Sequence, residues 1–181
     1  MEEYYYKGQK YLFSNGVWLT QNYLSVPTSM QGELNKLLYE QKDFSNKSVA
    51  ELLEIIDKSR AEKNNIQLAE KLLKIALQKA NDKERVHVLP RRTSNLRMVG
   101  RPLDAIALAN DYITRYRDAV MSHALFTSMG AAYCDLGNYK MARSYANRAY
   151  ATGGKGDPDL KELYQRLDRE ISPVKKTQNR Y

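Results

Sequence analysis

Two segments of this chain repeat one eleven-residue pattern, and this repetition constrains the fold more than any other feature. Residues 100–110 read GRPLDAIALAN and residues 137–147 read GNYKMARSYAN, so that a glycine, two alanines and an asparagine recur at an offset of 37 residues. Such a period is typical of stacked helix–turn–helix units, each of which buries its apolar face only against its neighbours. We predict that the repeated glycines and alanines are packing residues, which allow paired helices to cross closely and contact no ligand.

A weaker copy of the pattern lies upstream. The segment NNIQLAEKLLKIALQKA, residues 64–80, matches the block at 100–110 at an offset of 36 residues. The second match extends the periodic region towards the amino terminus and raises the number of units that can stack. The predicted repeats therefore cover residues 49–82, 86–118 and 123–154.

Further helices are predicted on both sides of the repeats. An apolar face at helical spacing over residues 29–41 predicts a leading helix, and Ser48 with Glu51 forms a capping-box signature at the start of the first repeat. Asp157-Pro158 predicts the start of a terminal helix that covers the last repeat. The predicted organisation is a hairpin extension at 1–26, a leading helix and break at 27–48, a helical repeat domain at 49–171 and a basic flexible tail at 172–181.

The segment from Phe126 to Gly154 resembles a tetratricopeptide repeat. The matching positions are a small residue and a tyrosine on the first helix, the turn, and the small residues of the second helix: Gly130, Tyr133, Gly137, Tyr139, Ala142 and Ala149. The resemblance extends over about three repeats within residues 49–170, while residues 1–48 match no family known to us.

The resemblance implies a mainly α fold, a solenoid of antiparallel helix pairs. The residues themselves add an N-terminal β-hairpin and a C-terminal capping helix to this prediction. Arrays of this family usually bind an extended peptide or another protein on a concave face lined by the first helix of each repeat. The residues that map onto this face are Glu51, Glu54, Lys58, His87, Ser94, Arg97, Thr127, Ala131 and Asp135. They do not reproduce the lysine, asparagine and arginine set with which some members clamp a carboxyl-terminal Glu-Glu-Val-Asp tail, so chaperone binding is not expected.

The first 26 residues differ from the rest of the chain. Asn15-Gly16 separates two β-prone runs, residues 11–14 and 17–20, and predicts a tight hairpin. A lone hairpin is only marginally stable, so we expect it to dock on the helical body or on a partner. Its aromatic residues, Tyr5 and Trp18 among them, have three possible roles: packing against the helices, anchoring a protein interface, or stacking on single-stranded bases.

The net charge of +8 is concentrated in the two clear repeats, because residues 86–156 contain ten Lys or Arg but four Asp or Glu. A cationic surface attracts nucleic acid, anionic lipid or an acidic protein alike. Arg91, Arg92 and Arg97 either form an anion-binding strip or belong to a solvated basic face, with Arg92 paired to a neighbouring helix.

Catalytic, cofactor and metal sites are not expected. The single cysteine, Cys134, excludes a disulfide framework, and the chain has no phosphate-binding glycine loop and no nucleophile-elbow motif. The two histidines, His87 and His123, lie one repeat apart without a local carboxylate. We expect a cytoplasmic protein without a membrane contact, because no apolar run approaches the length of a membrane span and the amino terminus lacks a signal-peptide pattern.

Two functions remain open at this point. The first is a non-enzymatic protein–protein interaction module: an accessory subunit, inhibitor or adaptor that docks on a larger complex through its concave face and its hairpin. The predicted contact residues are Arg91, Arg92, Ser94, Arg97, Thr127, Asp135, Tyr5 and Trp18. The alternative is an RNA- or DNA-associated accessory protein that uses the basic surface of residues 86–156, and a homo-oligomer joined through the hairpins is a third possibility.

Overall fold

A computed structural model describes residues 1–14, 17–41, 43–61, 66–116 and 121–171 of the chain. In this part the protein is mainly helical, with eight α-helices and a small N-terminal sheet of three antiparallel strands. The chain forms two compact units, Met1–Ala76 and Leu77–Tyr181. The division falls inside the stretch predicted as one repeat domain.

The strands are β1 (Glu2–Tyr6), β2 (Gln9–Ser14) and β3 (Val17–Thr20). The helices are α1 (Thr28–Gln41), α2 (Val49–Ala61), α3 (Ile66–Lys79), α4 (Asp82–Met98), α5 (Pro102–Arg115), α6 (His123–Asp135), α7 (Tyr139–Ala149) and α8 (Pro158–Ile171). Helix α7 continues into a π-helical turn at Tyr150–Gly154.

The predicted hairpin is confirmed as the β2–β3 pair, in which Ser14 lies opposite Val17. Its turn residues, Asn15 and Gly16, lie outside the described part of the chain. The strand β1, which the sequence pattern did not predict, pairs with β2 through a two-residue turn. Lys7 and Gly8 both have positive φ, 49° and 75°, as this kind of turn requires. Lysine is uncommon in this conformation, which explains why the turn escaped prediction.

One face of the sheet packs on α1 in the first unit. Trp18 is only 2% exposed and lies in a cluster with Tyr4, Tyr11 and Leu34. Its indole Nε1 donates a hydrogen bond to Asn35 Oδ1 at 2.8 Å. The sheet therefore docks on a helix of its own unit, as expected of a hairpin that is not stable alone.

The capping box at the start of α2 is also confirmed. Glu51 N donates to Ser48 Oγ at 3.3 Å, and Ser48 N donates to Glu51 Oε2 at 2.8 Å. These reciprocal bonds satisfy backbone groups that a helix end leaves free. Hydrogen bonds from the backbone and hydroxyl of Ser48 lower the pKa of Glu51 to about 2. The Glu51 carboxylate therefore caps the start of its own helix, α2.

The second unit is built on contacts of α6 with four other helices. Helix α6 contacts α4, α5, α7 and α8, while α4 also contacts α5 and α7 also contacts α8. The alanines of the two repeated blocks are fully buried at these contacts: Ala105, Ala109, Ala142 and Ala146. A Cβ added at Gly130 would lie 3.1 Å from Ala142 O, so α6 and α7 approach closely there. The predicted packing role of the alanines is confirmed.

The glycines of the two repeated blocks have a different role from the one predicted. Gly100 and Gly137 have φ values of 77° and 71°, and a Cβ at either position would meet open space. Each glycine ends a helix, and the same kind of backbone bond closes both turns. Arg101 N donates to Leu96 O at 2.8 Å, and Asn138 N donates to Tyr133 O at 2.9 Å. They are turn residues, since the left-handed conformation favours glycine. The packing prediction was wrong for both, whereas the turn position that the resemblance gave to Gly137 agrees with its conformation.

The terminal helix α8 begins at Pro158, as predicted, and the Asp157 carboxylate accepts a hydrogen bond from Asp159 N at 2.9 Å. Leu160, Leu163 and Leu167 are buried in the core of the second unit. The predicted basic tail, 172–181, lies outside the described residues. Among the helices that are described, none combines the length and the apolar character needed to cross a membrane.

Candidate functional site

A carboxylate shared by two arginines joins three helices of the second unit. Arg97 lies in the last turn of α4, Asp135 is the last residue of α6, and Arg166 lies in α8. Arg97 Nε donates to Asp135 Oδ2 at 2.7 Å, and Arg166 donates from a terminal guanidinium nitrogen to Oδ1 at 2.6 Å. We call these three residues the Arg97–Asp135–Arg166 row. It places two of the predicted contact residues, Arg97 and Asp135, in direct contact.

The electrostatics of the row keep its carboxylate ionised. Burial disfavours the charged form of Asp135, but hydrogen bonds and charge from Arg97 and Arg166 outweigh it and hold the pKa of Asp135 below its usual range. The side chains of Arg97 and Asp135 are 21% and 24% exposed, so water screens the pair only in part. The row carries two positive charges and one negative charge at neutral pH.

The arrangement is suited to binding an anion. A guanidinium has five N–H donors. Arg97 directs Nε and, at a longer 3.4 Å, one terminal nitrogen towards Asp135, while Arg166 directs one terminal nitrogen. Donors on both arginines therefore remain for an incoming carboxylate, which matches their planar fork. Asp135 fixes the orientation of both groups before a ligand arrives.

Arg166 was not predicted from the sequence. Its partner Asp135 is 31 residues away, whereas helical spacing rules relate residues three or four positions apart. The apolar stripe of α8 predicted correctly that this helix covers the core. The stripe also implies a polar face beside the neighbouring helices, but it does not identify which carboxylate that face meets.

The other predicted arginines, Arg91 and Arg92, lie earlier in α4 than Arg97. Arg91 donates from a terminal nitrogen to His87 O at 3.1 Å, one turn earlier in the same helix. Arg92 and Ser94 are half-buried. Arg97 thus bonds to Asp135 of α6 and is linked to α8 through that carboxylate, while Arg91 is bonded to the backbone of its own helix.

Two predicted contact residues are buried. Thr127 is 6% exposed and its hydroxyl donates to His123 O at 3.0 Å, one turn earlier. Trp18 is buried between the sheet and α1. Neither side chain is available to a partner in this structure, because both are enclosed by their own unit. Tyr5, in contrast, is 64% exposed.

At least four of the seven arginines that the structure describes in the basic region pair with a carboxylate of their own unit. Arg101 pairs with Asp104, Arg115 with Asp111 and Arg143 with Asp168, at 2.6, 2.8 and 2.5 Å. The guanidinium of Arg148 lies over the ring of Phe126 at 4.3 Å. Carboxylates therefore engage at least four arginines of this region, Arg97 among them, while the region as a whole keeps its excess of Lys and Arg over Asp and Glu.

Two side chains that could carry chemistry, Cys134 and His123, have defined surroundings in the described part of the chain. Cys134 is buried, and this burial raises the pKa of its thiol, which disfavours the nucleophilic thiolate. His123 Nε2 lies 3.5 Å from Asp157 Oδ2, a carboxylate partner that the sequence did not predict. Across the residues described, no three His, Cys, Asp or Glu side chains are grouped as a metal site requires.

No protein-family model matches the chain, and comparisons with curated proteins and with solved structures found no similar protein.

Proposed function

We propose that this protein is a non-enzymatic binding module, which docks on another protein and binds an acidic, extended segment of it at the Arg97–Asp135–Arg166 row. The observation that carries the proposal is the position of Asp135 between two arginines from different helices. A site that already holds one carboxylate between two guanidinium groups has the geometry to accept a second one beside it.

The contacts of the second unit support a tetratricopeptide-like stack as the scaffold. Helices α4 and α6 contact each other, and α6 contacts α8, as the first helices of successive repeats would. Helix α5 contacts both α4 and α6, and α7 contacts both α6 and α8, as the second helices would. The row then crosses the face formed by α4, α6 and α8, the first helices of successive repeats, where a solenoid of this kind binds its ligand.

A protein partner is favoured over nucleic acid because of how the arginines are used. Nucleic-acid binding depends on many cations that are free to neutralise successive phosphates. Here Arg101, Arg115 and Arg143 each have a carboxylate partner within 2.8 Å. These arginines are therefore already engaged, whereas the two arginines of the row direct only some of their donors at Asp135 and offer the others to a few carboxylates. The role that follows is that of an accessory subunit, inhibitor or adaptor, whose preformed site limits the entropic cost of binding.

The proposal can be tested by selecting peptides from a random displayed library against the immobilised protein. We expect the selected sequences to be enriched in Asp and Glu. The double variant Arg97→Gln, Arg166→Gln is expected to lose this enrichment, and a peptide synthesised from the consensus should bind it at least about tenfold more weakly. Arg115→Gln is the matched control, because it removes an arginine that pairs with Asp111 within one helix, away from the row.

Two results would contradict the proposal. One is a selection without enrichment in acidic residues. The other is an acidic enrichment that persists in the double variant and disappears in the Arg115 control, since this would place anion binding at another part of the surface.

A further inference from the structure

The exposed large apolar side chains of the second unit are concentrated at one end of it. Within the described part of this unit, six such residues are exposed, and five of them lie at or just after the carboxyl-terminal ends of α4, α6 and α8 or in the first turns of α5 and α7. The five are Met98, Leu103, Leu136, Met141 and Ile171. The sixth, Tyr150, lies after the far end of α7.

The contacts of the row show that these residues share one end. The Arg97–Asp135 and Arg166–Asp135 bonds hold the carboxyl-terminal ends of α4 and α6 beside α8. The Tyr139 hydroxyl donates to Glu170 Oε2 at 3.1 Å, which brings the start of α7 to the end of α8. We call the five apolar residues, together with the Arg97–Asp135–Arg166 row and the Tyr139–Glu170 pair beside them, the turn-end surface.

The turn-end surface is also positively charged. Lys140 in the first turn of α7 and Arg169 in the last turn of α8 are exposed, and neither has an ion pair within the described residues. Together with Arg97 and Arg166 they give four cations, against the two carboxylates of Asp135 and Glu170. Apolar side chains with a surplus of positive charge around them fit a segment in which apolar and acidic residues are combined.

We infer that the turn-end surface binds a segment of the partner protein that carries apolar side chains next to acidic ones. The apolar residues of this segment cover Leu103 and Leu136, and its carboxylates reach the arginines of the row and Lys140. A second copy of this chain is the poorer occupant, because two turn-end surfaces would bring like charges together. The inference rests on the proposed function and adds the apolar half of what is recognised.

The experiment compares the same peptide selection on the wild type and on Leu103→Ser, Leu136→Ser. We expect the wild type to select acidic peptides with an apolar residue at a fixed distance from the acidic positions. The double variant should keep the acidic enrichment but lose the fixed apolar position, and it should bind the consensus peptide about tenfold more weakly or worse. Tyr150→Ser is the control, since it removes an equally exposed apolar residue at the other end. Circular dichroism verifies that all variants are folded.

Three outcomes would overturn the inference, and they leave different signatures. Acidic peptides that depend on Arg97 and Arg166 but are indifferent to Leu103 and Leu136 leave the proposed function standing and remove the apolar surface. Apolar peptides without acidic positions contradict both proposals. A wild-type dimer in sedimentation that becomes a monomer in the Leu103, Leu136 variant assigns the surface to a second copy of the chain.

Discussion

At the scale of single residues, the Asp135 carboxylate balances the charge of the two arginines in the row and orients their guanidinium groups. Two guanidinium groups from different helices donate to it at 2.7 and 2.6 Å. Without the negative charge, the two partly buried positive charges would repel each other and leave N–H donors unsatisfied. Asp135 therefore both links the end of α6 to α4 and α8 and preorganises the donors that we assign to a partner.

Asp135→Asn is expected to lower the free energy of unfolding at neutral pH by about 1–3 kcal/mol, because it leaves two arginines without their counter-charge. Urea denaturation measures the change. The matched control is Asp111→Asn, whose carboxylate pairs with Arg115 in an exposed arrangement within α5. Such a pair contributes about 0.5 kcal/mol or less. Equal losses in the two variants would show that the row has no special stabilising role.

The effect of Asp135→Asn also depends on pH. Because the folded protein holds the pKa of Asp135 below its unfolded value of about 3.9, the stabilisation is present above that pH and is lost as the pH falls through the folded pKa. The difference in unfolding free energy between wild type and variant should be constant at mildly acidic pH and shrink below about pH 4. Taking the difference removes the titration of the other carboxylates, and a decline that begins near neutral pH would contradict this assignment.

At the scale of elements, the second unit depends on the close crossing of α6 over its neighbours. Gly130→Ala would place a Cβ 2.8 Å from Leu163 Cδ2 and 3.1 Å from Ala142 O. We expect it to lower the free energy of unfolding by about 1–3 kcal/mol, although alanine favours a helix more than glycine does. Ser144→Ala, on the exposed side of α7, should change it by about 0.5 kcal/mol at most. A stabilised Gly130→Ala protein would mean that α6 and its neighbours are less closely packed.

The elements that sequence could predict are those with local or periodic signals. The Ser48–Glu51 capping box, the buried alanines of the repeats and the start of α8 at Pro158 all follow from short patterns. Strand β1 was missed because its turn places Lys7 where the hairpin rules favour asparagine, aspartate or glycine. The role of Gly100 was misassigned because the repeat shows only that glycine recurs at this position. The reason for the glycine, its positive φ, is visible only in the structure.

The candidate site was predictable only in part for a related reason. The position of Arg97 and Asp135 on the first helix of successive repeats followed from the resemblance, and the structure joins them. Arg166 depends on how α8 packs, which is a property of tertiary structure. The burial of Trp18 depends in the same way on α1, since an aromatic residue in a hairpin is equally compatible with a core and with an exposed surface.

At the scale of the whole molecule, the net charge of +8 gives the sign of the partner but not its identity. The two proposed classes of partner use that charge differently. A nucleic acid releases a counterion for each phosphate that the protein neutralises, so its affinity falls steeply with salt. A peptide bound through a few carboxylates and several apolar side chains involves fewer such charges.

Salt titration therefore separates the two partners. For a single-stranded oligonucleotide, the slope of log affinity against log salt is about −0.7 for each neutralised phosphate, and several phosphates give several units. For the selected consensus peptide we expect a much shallower slope, because a short peptide has no condensed counterions to release and salt only screens its few charges. Fluorescence anisotropy at several salt concentrations measures both slopes on the same protein.

The variant Arg91→Gln, Arg92→Gln, Arg97→Gln makes this comparison decisive. If the protein is a peptide-binding module, the variant weakens the consensus peptide through Arg97 and has little effect on an oligonucleotide, which binds the wild type only weakly and non-specifically. If the basic surface of residues 86–156 binds nucleic acid, the wild type binds the oligonucleotide tightly with a steep salt slope, and the variant loses about 0.7 units of slope for each phosphate contact removed. Because so many of the arginines already have carboxylate partners, we expect the first result.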